Sequence, residues 1–111
     1  MATLSSHLLN SVNGTHANNV DIIIYQIKPN GEKKVFCETK TDSGGRLLQE
    51  FKLNDEDCKS EYEMICKTGD YFSEKKIVSE IIVKFKMPDP NKKYHIPIII
   101  SPNGYSIWWS D

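Results

Sequence analysis

An all-β domain built as a two-sheet sandwich is the fold class this sequence predicts, and three observations point to it. Apolar and polar residues alternate with period two through most of the chain. The runs so formed are short, rich in isoleucine, valine, phenylalanine and tyrosine, and bounded by Gly, Pro, Asn and Asp clusters. No internal repeat or low-complexity linker divides them, so residues 1–111 are expected to form a single domain, long enough to bury a core without disulfides or metals.

The elements follow in order. Leu4 to Leu9 is the first strand. Val20 to Lys28 is isoleucine-rich and ends at Pro29-Asn30-Gly31, an Asn-Gly turn that leads into Lys33 to Thr39 as a hairpin. Arg46 to Phe51 forms a short strand. In the next, Tyr62, Met64 and Cys66 alternate with Glu61, Glu63 and Ile65, and Gly69-Asp70 closes it. Phe72 to Glu80 lacks alternation but carries Glu74, Lys75 and Lys76 behind Ser73, good helix formers after an N-cap residue, which predicts one short helix. Ile81, Val83, Phe85 and Met87 alternate with Lys84 and Lys86 in a half-exposed strand stopped by Pro88-Asp89-Pro90. Tyr94 to Ile100 and Tyr105 to Ser110 form the last pair around Ser101-Pro102-Asn103-Gly104. Eight short strands, each with one face to bury, predict two packed sheets.

Composition excludes several classes of partner. With 39% hydrophobic and 26% charged residues and a formal net charge of -1, the chain has no basic surplus for nucleic acid. No apolar run approaches the roughly 20 residues that span a bilayer, and the start lacks the pattern of a secretory signal, so a cytoplasmic protein away from membranes is expected. Cys37, Cys58 and Cys66 are odd in number and match no zinc or redox spacing, which predicts free, inert thiols. No metal or cofactor is expected.

Alternation sorts the candidate site residues by face. In the first strand His7 shares a face with Ser5 and Leu9, opposite Leu4, Ser6 and Leu8; in the seventh, His95 shares one with Pro97 and Ile99, opposite Tyr94 and Ile96. Isoleucines on both sides of that seventh strand predict that both its faces are covered, one by the core and one by another subunit. Taken singly, a histidine on a strand is ordinarily a satisfied, half-buried side chain, and an arginine after a Gly-Gly turn is ordinarily solvated.

Taken together they carry more. The opening Leu4-Ser5-Ser6-His7-Leu8-Leu9-Asn10, the segment Thr41-Asp42-Ser43-Gly44-Gly45-Arg46, then Gly69-Asp70-Tyr71-Phe72 and Tyr94-His95-Ile96-Pro97, in that order along nearly the whole chain, resemble the transthyretin-like 5-hydroxyisourate hydrolases. The resemblance implies two four-stranded sheets with a short helix after the fifth strand, a homotetramer, and hydrolysis of a cyclic ureide without a cofactor. It implies His7 and His95 as the catalytic acid/base and water-orienting pair, and His7, Arg46 and Trp108 as substrate-binding residues. The chain departs from the family's terminal Tyr-Arg-Gly-Ser, reading Trp108-Trp109-Ser110-Asp111. His16 matches no family motif and reads as an ordinary loop residue.

These residue types suit the chemistry. Opening a flat, oxidised purine with water requires a base, an orienting group and a donor for the developing oxyanion. Histidine titrates near neutrality and can move the proton; arginine offers a planar fork of donors and a fixed charge. Which histidine is the base is open at this stage. Two other classes compete: a non-catalytic small-ligand carrier of transthyretin type, against which the polar trio speaks, and an interaction module anchored on Trp108 and Trp109.

Overall fold

The computed structural model describes residues 1–72 and 77–109. One sheet is built around β1 (Ala2–Asn10), which runs parallel to β8 (Lys93–Ser101), and β8 pairs antiparallel with β9 (Gly104–Ile107). The other edge of β1 is shared: its first half pairs with β5 (Arg46–Phe51) and its end with β2, the two residues Thr15–His16. The second sheet has the order β4 (Lys33–Lys40), β3 (Asp21–Ile27), β6 (Glu61–Cys66) and β7 (Ile81–Lys86), antiparallel throughout.

All eight strands expected from alternation are present, and the sandwich is all-β as predicted. The β2 pair makes a ninth, so the first sheet holds five strands where two sheets of four were expected. The difference is small in length and large in consequence for the site. The β3–β4 hairpin turns as anticipated, with Gly31 at φ 91° and the Lys28 N–H donating to the Glu32 carbonyl at 2.8 Å.

The core lies between the inner faces. In β1, Ala2, Leu4, Ser6, Leu8 and Asn10 are buried while the residues between them are half-exposed. Ile22 and Ile24 of β3, Tyr62, Met64 and Cys66 of β6, and Ile96, Ile98 and Ile100 of β8 close on them. Each fully buried leucine or isoleucine contributes about 1.5–3 kcal/mol. Ser6 is tolerated in the core because its hydroxyl donates to the Ile96 carbonyl at 2.6 Å. Burial pushes the Cys66 thiol up to about 12 and raises Cys37 and Cys58 as well, so all three thiols are free and held protonated.

Two short helices differ from expectation. The α1 helix (Asp55–Lys59) was not anticipated, although its capping box is local: the Asn54 side chain accepts from the Asp57 N–H at 2.8 Å, and the Asp57 carboxylate accepts from the Asn54 N–H at 3.0 Å. The α2 helix (Thr68–Tyr71) follows the fifth of the long strands, where the resemblance places one. The helix read from Phe72 to Glu80, with Ser73 as its cap, falls largely on residues 73–76, outside the described residues, and residues 77–80 are not helical.

Candidate active site on an outward sheet face

Register fixes the candidate residues on one surface. Opposed residues on paired strands share a face. His7 stands opposite Arg46 on β5 and Pro97 on β8; Ser5 stands opposite Leu48 and His95; Leu9 stands opposite His16 and Ile99. All of these belong to the half-exposed face of β1 that points away from the core. His7, Arg46 and His95 are therefore brought together on the outward face, where alternation had placed the two histidines.

Arg46 is placed by the turn that precedes it. The Asp42 carboxylate accepts the backbone N–H groups of Gly44 and Arg46, each at 2.9 Å, and the Asp42 N–H donates to the Arg46 carbonyl at 2.9 Å. Those backbone bonds, the one from Arg46 foremost, together with the nearby Arg46 and His7 charges, hold the Asp42 carboxyl below its ordinary range. Gly45 then turns with φ 71° and accepts the Leu8 N–H at 2.8 Å, which docks the turn against β1.

The two expected histidines have different partners. The His95 Nδ1 meets the Ser5 Oγ at 2.7 Å. The His7 Nε2 meets the Nδ1 of His16 at 2.8 Å, with the ring centres 4.9 Å apart and 25° between planes. Burial first, then the Arg46 guanidinium and the His16 and His95 rings, hold the His7 imidazole below its ordinary value, against a backbone hydrogen bond at Gly44 that favours the charged form. His16 is thus a site residue that sequence reasoning passed over. The signal was Asn13-Gly14, a turn with Gly14 at φ 74° that folds the chain back along β1 and sets His16 beside Leu9.

The two tryptophans border one apolar cavity of about 240 Å³, with Val83, Lys84, Phe85, Ile96 and Ile107, between the edge strands β7 and β9. Trp109 also packs its ring on Tyr94 at 5.7 Å, and Tyr94 is buried on the face opposite His95. The Trp108 backbone N–H donates to the Pro97 carbonyl at 3.4 Å. Trp108 therefore stands two strands from His7, closer in register to the His95 strand. Ser110 and Asp111 lie outside the described residues.

A concavity of about 410 Å³ lies elsewhere, on the second sheet beside Asp21, Lys40, Lys67 and Asp70. Its lysines are neutralised by ion pairs, Lys40 with Asp21 at 3.6 Å and Lys67 with Glu80 at 3.3 Å, and it is lined by no imidazole or thiol. The histidine face is open in one chain, because a flat sheet face becomes a cleft only when something covers it. Among the described residues no group of three or more His, Cys, Asp or Glu side chains is placed to hold a metal ion.

Comparison with known proteins places the chain in a family. Residues 4–109 match the HIUase/Transthyretin family. The chain is 28% identical to the 5-hydroxyisourate hydrolase of Halalkalibacterium halodurans over 95% of its own length and 94% of that protein's. It is 33% identical to the 5-hydroxyisourate hydrolase of Salmonella dublin, over 95% of its length and 78% of the relative's. The fold matches the solved structure of Klebsiella pneumoniae 5-hydroxyisourate hydrolase with a TM-score of 0.79 at 22% identity, over 100% of both chains.

Proposed function

The chain belongs to the HIUase/Transthyretin family, and on that premise we propose that it hydrolyses 5-hydroxyisourate to 2-oxo-4-hydroxy-4-carboxy-5-ureidoimidazoline in urate breakdown. The observation that carries this reading is the gathering of His7, Arg46 and His95 on one outward face by strand register. A carrier's ligand channel has no need of two imidazoles beside a guanidinium.

The hydrogen-bond partners suggest a division of labour. With its Nδ1–H donating to Ser5, His95 keeps the lone pair of Nε2 for a water proton. Water adds across the ring C–N bond: its oxygen joins the lactam carbon, its proton passes to His95, and His95 returns the proton to the departing nitrogen. Arg46 meets the developing oxyanion and the planar ring with its fork of donors. His7, beside Arg46, orients ring and water. Trp108 offers a flat face on which the substrate stacks at the margin.

The direct test is whether purified protein speeds the disappearance of freshly generated 5-hydroxyisourate, followed by ultraviolet absorbance, above its spontaneous decay. Acceleration supports the hydrolase; saturable binding without acceleration would leave a non-catalytic carrier. We also place the protein in the cytoplasm as a homotetramer, in which a second copy covers the outward face around Leu9, Leu48, Pro97 and Ile99. Leu48 is 66% exposed in the single chain, an unfavourable state for a leucine in the middle of an apolar strip. Native mass spectrometry should show four chains, and a stable monomer at micromolar concentration would remove the cleft.

A further inference from the structure

We propose that His16 is a positioning residue for His7, clamping its imidazole by an N–H···N hydrogen bond between nearly coplanar rings so that the two rings together hold a single proton between them. The proposal rests on the hydrolase reading for its catalytic consequence, and on geometry alone for the pair itself.

Three observations carry it. The Nε2 of His7 and the Nδ1 of His16 lie 2.8 Å apart, within hydrogen-bond range. The ring centres are 4.9 Å apart with 25° between planes, the nearly coplanar, edge-to-edge arrangement that one N–H···N bond produces. The backbone makes the pairing reproducible: β2 is in register with β1 at Leu9↔His16, the Ala17 N–H donates to the Leu8 carbonyl at 2.9 Å, and Gly45 is packed so closely that a Cβ there would sit 3.1 Å from the His16 Cβ. An exposed imidazole on a loose loop would have none of these restraints.

The chemistry follows from counting protons. Two neutral rings satisfy the contact with one N–H donating to one lone pair. A singly protonated pair satisfies it equally well. Two imidazolium rings cannot, because both facing nitrogens would then carry hydrogens aimed at one another. Charging both rings therefore breaks the contact that holds His7. Other charges reach His7 from every neighbouring element: Arg46 from β5, His95 from β8 and Asp42 from the turn, besides His16 from β2. Of these, Arg46, His16 and His95 oppose a charge on His7, and only His16 touches its ring through a nitrogen.

The test is side-chain NMR titration of His7 in the intact protein, wild type against His16→Phe, which keeps an aromatic face and removes both nitrogens. In the wild type the His7 midpoint should lie below the ordinary imidazole value. In His16→Phe, His7 should titrate in one step with its midpoint moved to higher pH, since a charge that opposed its protonation is gone. On 5-hydroxyisourate, His16→Phe should lower kcat about tenfold through misplacement of His7 with KM little changed, and His16→Asn, which restores a hydrogen-bonding group near the Nδ1 position, should recover most of it. An unmoved His7 midpoint in His16→Phe overturns the pair even if the protein is an active hydrolase. A moved midpoint in a protein that fails to hydrolyse 5-hydroxyisourate upholds the pair and removes the hydrolase reading instead.

Discussion

Replacing His95 by alanine is expected to lower kcat on 5-hydroxyisourate by about a hundredfold or more, the usual size of a lost acid/base group and equivalent to roughly 2.7 kcal/mol of barrier. The fold should barely notice. His95 is half-exposed on the outward face, its one side-chain hydrogen bond goes to Ser5, and the residues that pack the core from the same strand are Tyr94, Ile96, Ile98 and Ile100. A normal melting profile with collapsed turnover would therefore locate the loss in chemistry. His7→Ala should behave similarly in turnover, whereas Trp108→Ala should act on KM, because an edge residue that stacks substrate contributes binding and moves no proton. Wild-type turnover in a folded His95→Ala protein would remove His95 from the mechanism and force its role onto His7.

The positions that made these predictions possible were legible in the sequence to different degrees. Strand period alone put His7 with Ser5 and Leu9, and His95 with Pro97 and Ile99, on faces opposite the core, because one slip of register would have exposed Leu4, Leu8, Ile96 and Ile98 together. The Asp42-Ser43-Gly44-Gly45 turn was legible, but by itself it read Arg46 as a solvated residue, and only the family resemblance singled it out. Which strands lie side by side was not. The Ser5–His95 contact joins residues 90 apart in the chain, and no local pattern states that β1 runs parallel to β8. His16 was hidden for the same reason: its partner is set by a two-residue strand whose Asn-Gly turn is visible but whose register is a tertiary fact. Trp109 shows a further gap. Its ring contact with Tyr94 is a tertiary fact that no local pattern states. The α1 helix, by contrast, was written locally in Asn54 and Asp57 and needed only closer reading.

Gly45→Ala is the substitution expected to cost the fold most for the fewest atoms added. At φ 71° the residue occupies the left-handed region, which disfavours any Cβ. Its surroundings add a second penalty: the new carbon would lie 2.6 Å from the Leu8 carbonyl oxygen and 3.0 Å from the Ala17 nitrogen, both backbone atoms that cannot swing aside. Those same atoms hold β2 and the turn to β1, because the Gly45 carbonyl accepts the Leu8 N–H and the Leu8 carbonyl accepts the Ala17 N–H. Relief of the clash must therefore push Arg46 and His16 away from His7. Strain and lost hydrogen bonds together should destabilise the protein by about 3 kcal/mol, a fall in melting temperature on the order of 10 °C for a chain of this size. Gly31→Ala supplies the control. Gly31 has φ 91° but nothing within 4 Å of the added carbon, so it reports the backbone penalty without the collision and should cost only about 1 kcal/mol. Urea unfolding of the two variants separates the effects: equal losses would mean that the turn yields freely and does not anchor the site. A much larger loss in Gly45→Ala, with turnover reduced even where the protein remains folded, would show that the contact between turn and first strand holds the guanidinium and the histidine pair in one place.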